Sequence, residues 1–286
     1  MIRFKEVEAK SVLVKSKLPD TDYVINLYTG CAIGCQYCYA SFMGRFANEP
    51  IEDWGNYVYA KTNAIEVLRG ELEKLSSPRN SQEKQKTIFI SSVTDPYQPI
   101  ESKYELTRQA LQLLIEYKWM GCVGILTKSI LVTRDIDLFK QIPDIEVGMT
   151  ITTTDDSLAR FLEPRTSVTT ERLKALKTLT DAGIRTYAFV GPLLPHFRHS
   201  PELLDNLFAQ LAKTGVKEIY AEHINMKRYI MGRLGPAIAK LPAEAQKIYA
   251  QAKTKEHKTA LDEIVLGLVK KYNLTLRLGK VIDHGS

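Results

Sequence analysis

The sequence predicts an α/β protein built around a mostly parallel sheet. Six apolar runs rich in β-branched and aromatic residues recur along the chain, and stretches with the helical spacing of apolar residues lie between them. The chain has 286 residues, of which 44% are hydrophobic and 25% charged, a composition typical of a folded globular protein. Strands that alternate with helices indicate βα units, whose strands run parallel.

The predicted elements follow one another in order. The strands are residues 24–28, 87–92, 122–127, 146–151, 185–190 and 218–222, and the helices between them are residues 63–75, 107–117, 136–140, 170–182 and 201–213. Residues 76–86 are predicted to be an exposed loop. Six βα units can close partly into a barrel or remain an open, doubly wound sheet. In both cases the loops at the carboxyl ends of the strands form the site.

Charge and composition divide the chain into two parts. Residues 1–225 are expected to form one catalytic unit, and residues 226–286 a basic, mostly helical C-terminal extension packed on it. Residues 227–280 hold 12 Lys and Arg but 4 Asp and Glu, whereas the whole chain has a net charge of +6. Such a segment is either a set of solvated helical faces or a surface that attracts nucleic acid.

The hydropathy pattern indicates a soluble, cytoplasmic protein with no membrane partner. The longest apolar runs, such as residues 264–269, are far shorter than the roughly 20 residues that a membrane-spanning helix needs. The first residues, MIRFKEVEAKS, lack the apolar core of a signal peptide.

Three of the four cysteines form the main chemical signal. Cys31, Cys35 and Cys38 follow the first predicted strand in the segment GCAIGCQYCYA, whereas Cys122 stands apart. Closely spaced soft thiolates select zinc, copper(I) or an iron–sulfur cluster. A structural zinc ion needs a fourth protein ligand, which no nearby Cys or His supplies, so the alternative is a zinc ion completed by the distant His196, His199 or Cys122. The remaining alternatives are three cysteines that merely pack as small apolar residues, and a cubane cluster whose fourth iron stays open for a small molecule.

This segment resembles the motif of the radical S-adenosylmethionine (radical SAM) superfamily, which is CxxxCxxC with an aromatic residue before the third cysteine. Further segments are similar to the branch that contains spore photoproduct lyase and the DNA repair photolyase-like proteins: TDPYQPIE at 94–101, TKS at 127–129, LEPR at 162–165 and DAGI at 181–184. The resemblance covers about residues 20–225. It implies a partial (β/α)6 TIM-type barrel of parallel strands, to which the helical extension is added.

The resemblance also implies the cofactors and their residues. Cys31, Cys35 and Cys38 would each bind one iron of a [4Fe-4S] cluster, and S-adenosylmethionine would bind the fourth. Tyr37 is expected near the adenine, and the polar groups Ser92, Thr94, Ser129, Thr152 and Arg165 are expected around the rest of the S-adenosylmethionine. Each Ser or Thr could instead cap a helix or shape a turn, and Arg165 could form a surface ion pair.

The implied activity is reductive cleavage of S-adenosylmethionine to a 5′-deoxyadenosyl radical, which abstracts hydrogen from the substrate. A flavodoxin-type or ferredoxin-type protein would supply the electron, and nucleic acid and peptide are the candidate substrates. Spore photoproduct lyases carry a hydrogen-donating cysteine beside the serine of the third strand, whereas here Lys128 precedes Ser129 and Cys122 lies at the opposite end of that strand. The alternatives are a redox-sensing or regulatory cluster protein without turnover and a zinc-stabilised nucleic-acid-binding module.

Overall fold

The computed structural model describes residues 1–75 and 78–284, with the side chains of 78–81 excepted. The strands are β1 (Arg3–Val7), β2 (Leu13–Lys15), β3 (Tyr23–Ile25), β4 (Tyr28–Gly30), β5 (Tyr57–Lys61), β6 (Ile88–Ile90), β7 (Val123–Thr127), β8 (Ile145–Thr150), β9 (Arg185–Leu193), β10 (Glu218–His223) and β11 (Thr275–Leu276). The α-helices are α1 (Ala64–Leu75), α2 (Glu101–Tyr104), α3 (Leu106–Glu116), α4 (Ile136–Phe139), α5 (Asp156–Leu162), α6 (Thr169–Asp181), α7 (Pro201–Lys213), α8 (Arg228–Ile238), α9 (Ala243–Gln251) and α10 (Lys255–Lys271).

The larger sheet has eight strands in the order β11-β10-β9-β8-β7-β6-β3-β2. Every neighbouring pair from β3 to β11 is parallel, and only β2 runs antiparallel to its neighbour β3. The α/β fold with a mostly parallel sheet is therefore confirmed. The order is consistent with a partial barrel, but no ladder among the described residues joins β2 to β11 and closes the sheet.

The first predicted strand is wrong in its extent. Residues 24–28 were expected to form one strand, but the chain passes from β3 in the larger sheet to β4 in a second, three-stranded sheet of order β1-β5-β4. Lys61 holds this crossing, because its Nζ donates to the Asn26 carbonyl at 2.7 Å and its backbone N–H to the Leu27 carbonyl at 3.2 Å. Val24, Ile25, Leu27 and Tyr28 are all buried and only Asn26 between them is partly exposed, so the hydropathy of the run does not indicate the change of sheet.

The predicted loop 76–86 is also only partly right. It contains a 3₁₀ helix at Pro78–Gln85, and its residues 76 and 77 lie outside the described part of the chain.

The helices between the parallel strands supply the rest of the core. One cluster of buried apolar side chains combines the strands of the larger sheet with α1, α3, α6 and α7. Each predicted helix is present within a residue or two of its expected bounds. None of the helices in the described ranges is both long and apolar enough to span a lipid bilayer.

The C-terminal residues form helices, as predicted, and also extend the larger sheet. α8, α9 and α10 follow β10, and β11 then pairs in parallel with β10 through Glu218–Thr275 and Ile219–Leu276. The division of the chain at residue 225 stays a prediction.

His257 gives this extension an expected pH dependence. Its side chain on α10 is 1% exposed, and neither ring nitrogen has a hydrogen-bond partner in the described structure. Burial, helped by the positive charge of Arg198, lowers the pKa of His257 to about 4 from an ordinary value of 6.5. The unfolded chain therefore binds this proton first as the pH falls, and stability is lost between about pH 6.5 and 4.

At 1.36 kcal/mol per pKa unit, we expect this loss to be at most about 3 kcal/mol. Urea denaturation of the apoprotein at pH 7 and pH 4.5 measures it, and His257→Phe should remove it. His284→Gln serves as the contrast, because Glu222 raises the pKa of His284 and its removal should act in the opposite sense. An unchanged pH profile in His257→Phe would contradict this expectation.

Candidate metal centre

The three clustered cysteines lie on one loop, residues 31–38, which we call the cysteine loop. It begins directly after β4 and ends where a 3₁₀ helix, Tyr39–Phe46, starts. Two glycines shape it, because Gly30 has φ +80° and Gly34 has φ +67°. A Cβ on Gly30 would lie 2.4 Å from the Tyr57 carbonyl oxygen, so a side chain at this position would push the loop away from β5.

Arg165 and Gln98 hold the first half of the cysteine loop through its backbone. The side-chain oxygen of Gln98, which is fully buried, accepts from the Ala32 N–H at 2.9 Å. Arg165 Nη1 donates to the Ala32 carbonyl at 3.1 Å and also to the Gly55 carbonyl, while Nη2 donates to Asn56 Oδ1 at 3.0 Å. The expected contact of Arg165 with S-adenosylmethionine stays a prediction; in the structure its guanidinium holds the cysteine loop against residues 55 and 56.

Arg233 holds the second half of the loop from the C-terminal extension. It lies on α8, and its guanidinium donates to the Cys35 carbonyl at 3.0 Å and to the Trp54 carbonyl at 3.1 Å. The Arg233 and Cys35 positions are 198 residues apart in the chain. The extension is thus in direct contact with the cysteine loop.

The cysteines are free thiols in largely buried surroundings. Cys31 is 7% and Cys35 6% exposed, and Cys38 is half-buried. Burial raises the pKa of Cys31 to about 12, raises that of Cys35 well above its ordinary value, and raises that of Cys38. The Lys128 ammonium, whose Nζ lies 5.9 Å from the centre of the Tyr37 ring, opposes the shift at Cys35 and Cys38. The thiols stay protonated unless a positive centre binds them.

An unpartnered donor lies next to these thiols. Trp54 is 3% exposed, and its indole N–H has no hydrogen-bond partner in the described structure. It packs in the same cluster of side chains as Cys31, Cys35 and Cys38. A buried donor without a partner costs about 1–3 kcal/mol, so this N–H favours an acceptor at the site.

Tyr37 is tied to a buried ion pair beyond the loop. Its hydroxyl donates to Glu163 Oε1 and lies 3.3 Å from Thr152 Oγ1, which is itself 2.8 Å from the same carboxylate oxygen. The other oxygen of Glu163 accepts from Arg172, and both side chains are shielded from solvent. Although burial acts the other way, the charges of Arg172 and Lys128 lower the pKa of Glu163. The network joins the cysteine loop to the carboxyl end of β8.

Three other residues expected around S-adenosylmethionine follow strand ends, and each has a local contact. Thr94 donates to the Gly30 carbonyl and accepts from Gln98 Nε2 at 3.1 Å. Ser129 caps the 3₁₀ helix Ile130–Asp135, because its Oγ accepts from the Leu131 N–H at 3.3 Å. The Ser92 carbonyl accepts from the Tyr39 hydroxyl. Their contacts with S-adenosylmethionine stay predictions.

The carboxylate of Asp95 joins the ends of β6 and β7. It accepts from the Tyr97 N–H at 2.9 Å, the Thr127 hydroxyl at 2.6 Å and the Lys128 N–H at 2.9 Å. These bonds place Lys128 at the same edge of the sheet as the cysteine loop.

The ligands considered for a zinc ion lie elsewhere. Cys122 precedes β7, and its sulfur accepts from Arg185 at the amino end of β9. His196 lies in the 3₁₀ helix Pro195–Arg198, and His199 follows it. Within the described ranges, no three Cys, His, Asp or Glu side chains are grouped closely enough to hold one metal ion. Three cysteines that each bind a different iron do not need to meet at a single ion.

The basic C-terminal segment is partly neutralised by neighbouring acids. Lys258 pairs with Asp283 at 2.8 Å, and Lys271 with Asp205 at 2.7 Å. Arg277 pairs with both Glu146 and Glu218, at 2.7 and 3.0 Å. The pairs of Lys271 and Arg277 link the extension to the rest of the protein, whereas the Lys258–Asp283 pair lies within the extension. Nucleic acid binding stays a prediction.

Sequence reasoning missed the residues that support the cysteine loop from a distance: Trp54, Gln98, Arg172 and Arg233. The sequence pattern indicates one of them. Arg172 lies on the apolar stripe of α6 with Thr169, Ala175, Leu176 and Leu179, where a charge requires a buried partner. The other three approach the loop only through the tertiary fold.

Comparison with known proteins identifies relatives along most of the chain. The model of the Radical SAM superfamily matches residues 25–207. An uncharacterized protein of Methanocaldococcus jannaschii is 39% identical over 194 residues, which are 68% of this chain and 69% of the relative. An uncharacterized protein of Mycobacterium tuberculosis is 30% identical over 289 residues, covering 96% of this chain and 82% of the relative.

The fold is also similar to that of a solved protein. The structure of spore photoproduct lyase in complex with a dinucleoside spore photoproduct matches 99% of this chain and 82% of its own, with a TM-score of 0.65 and 17% sequence identity. At this identity the likeness shows a common fold, which includes the C-terminal extension.

Proposed function

Because this chain belongs to the radical SAM superfamily, we propose that it is an enzyme that binds a [4Fe-4S] cluster through Cys31, Cys35 and Cys38. A single observation carries the proposal. Three free thiols lie together on the cysteine loop, whose backbone is fixed by hydrogen bonds, at the carboxyl edge of the larger sheet and beside polar residues. When bound, the cluster and S-adenosylmethionine would supply a 5′-deoxyadenosyl radical that removes a hydrogen atom from the substrate.

The side chains of the loop suit such a group. Protonated thiols buried together are poor hydrogen-bonding groups, but a metal removes their protons and binds the thiolates. The positive charges of Lys128 and Arg233 act on Cys35 and Cys38 and favour the thiolate form. The unpartnered Trp54 N–H supplies a donor for a sulfur acceptor.

The other residues would bind and orient S-adenosylmethionine. We assign Tyr37 to the adenine, because the hydrogen bonds of its hydroxyl with Glu163 and Thr152 fix the ring between Cys35 and Cys38 of the loop. Ser92, Thr94, Ser129, Thr152 and Arg165 are proposed as further contacts, since each lies on a segment that follows a strand of the larger sheet or touches the loop.

We further propose residues 1–225 as the catalytic unit, with the extension as a support through Arg233. The electron would come from a flavodoxin-type or ferredoxin-type protein. We expect this electron donor to approach the cluster from the side of Cys38. Cys38 is the most exposed of the three cysteines, and Tyr39, which follows it, is 45% exposed.

The test is formation of 5′-deoxyadenosine by the reconstituted protein. The full chain is loaded anaerobically with iron and sulfide and incubated with S-adenosylmethionine and dithionite, and product is measured by chromatography. We expect product only when cluster, reductant and S-adenosylmethionine are all present. A protein that holds the cluster but forms no 5′-deoxyadenosine under these conditions would favour a regulatory cluster protein, and one that holds zinc without iron would exclude the proposal.

A further inference from the structure

Trp54 is held rigidly at the edge of the cysteine loop. It directly follows the 3₁₀ helix Ile51–Asp53, and Arg233 binds its carbonyl oxygen at 3.1 Å. Its ring meets that of Tyr57 edge to face, with 6.1 Å between the ring centres and an angle of 82° between the planes. The position of the indole is therefore fixed by its backbone and by its ring.

The indole N–H is a buried donor in the same cluster of side chains as Cys38. Its nitrogen is buried and has no hydrogen-bond partner in the described structure. Trp54 and Cys38 belong to one packed cluster of side chains, in which the Cys38 sulfur is a neighbouring acceptor. Trp119, the other tryptophan of the chain, has an ordinary arrangement, because its Nε1 donates to the Lys86 carbonyl at 2.9 Å.

We propose that Trp54 is a positioning residue that donates a hydrogen bond from its indole N–H to Sγ of Cys38 once that sulfur binds the cluster, and that this bond makes the cluster easier to reduce. The inference rests on the proposed function, because it requires the cluster at these cysteines. It concerns the reduction potential of the site, which the family match leaves open.

The physical reason is the change in charge on reduction. Reduction adds negative charge to the cluster and its thiolates, and a hydrogen bond to a ligand sulfur stabilises that charge. Lys128 and Arg233 also carry positive charge in this region, but Arg233 already donates to two backbone carbonyls and the Lys128 ammonium lies over the Tyr37 ring. The Trp54 N–H is the directional group, and its loss should shift the reduction potential to a more negative value.

The test compares the reduction potentials of three proteins reconstituted as full chains: wild type, Trp54→Phe and Trp119→Phe. Each is titrated anaerobically without S-adenosylmethionine, and iron content is measured beside it. We expect a more negative midpoint potential in Trp54→Phe and an unchanged one in Trp119→Phe. Equal potentials in all three proteins would overturn the role of Trp54 and leave the proposed function intact, whereas a wild-type protein that binds no cluster would overturn both.

A second measurement covers the case in which Trp54→Phe loses the cluster through a change of shape. Incorporation of 3-benzothienylalanine at position 54 keeps the bicyclic ring and removes only the N–H. A lower potential, or loss of iron, in this isosteric protein supports the hydrogen bond, and a wild-type potential with full iron overturns it. In Trp119→Phe the remaining tryptophan is Trp54, so quenching of its fluorescence by the cluster reports their proximity independently.

Discussion

Cys35→Ala protein is expected to lose both the cluster and the formation of 5′-deoxyadenosine. Cys35 is the middle cysteine of the loop, it is 6% exposed, and its backbone is held by Arg233. Removing a residue that hydrogen-bonds to a metal ligand typically costs about 10–100-fold in metal affinity or activity. Loss of a ligand itself should cost at least about 100-fold, and product should fall to the level of the apoprotein. Iron, sulfide and 5′-deoxyadenosine are measured after anaerobic reconstitution.

Cys122→Ala is the matched control for that variant. It removes a cysteine of the same chain whose sulfur accepts from Arg185 at the other edge of the sheet, so iron content and product formation should equal those of wild type. Similar thermal unfolding of the two apoproteins would show that neither substitution disrupts the fold. A Cys35→Ala protein with full iron and wild-type product would refute the assignment of the ligands.

Glu163→Gln should produce the largest loss of stability among the single substitutions considered. The change keeps the shape of the side chain and an oxygen for the Tyr37 and Thr152 hydroxyls, but it leaves Arg172 as a buried charge without its partner. Breaking a buried pair in this way costs about 3–5 kcal/mol of the free energy of unfolding. Urea denaturation of the apoprotein under anaerobic conditions measures this loss.

An exposed ion pair provides the comparison for Glu163→Gln. Asp181 pairs with Lys177 one turn away on the surface of α6, with both side chains more than half exposed. Asp181→Asn should therefore cost less than about 1 kcal/mol. The double variant Glu163→Gln, Arg172→Met should recover much of the lost stability, because it removes the uncompensated charge. Equal losses of unfolding free energy in Glu163→Gln and Asp181→Asn would show that the buried pair stabilises the protein no more than the exposed pair does.

The parallel strands were predictable because burial on both faces leaves mostly apolar runs, such as VGILT in β7 and IEVGMT in β8, where Glu146 is the one charged residue. The three-stranded sheet was not. β1 is mostly exposed and reads RFKEV, with charged residues at three of its five positions, so its hydropathy does not indicate a strand. It forms a strand because it pairs in parallel with β5, in a register that runs from Arg3–Tyr57 to Val7–Lys61.

The same contrast applies to the candidate site. The cysteine spacing is local in sequence, so the loop could be found from its residues alone. Arg233 and Trp54 approach it from other segments, and no periodicity near them points to residue 35 or 38. Arg172 is the intermediate case, since its position on an apolar helix face indicates a buried acid but not which one.

The contact between Arg233 and the Cys35 carbonyl has a consequence for biosynthesis. The ribosome synthesises the cysteine loop well before α8. At about 5–20 residues per second, it reaches residue 233 within some tens of seconds after residue 35. Until then the second half of the loop lacks a partner from α8. Cluster insertion into a fully supported loop is thus an event that follows synthesis of α8, and a nascent chain stalled before residue 233 would present its cysteines without this support.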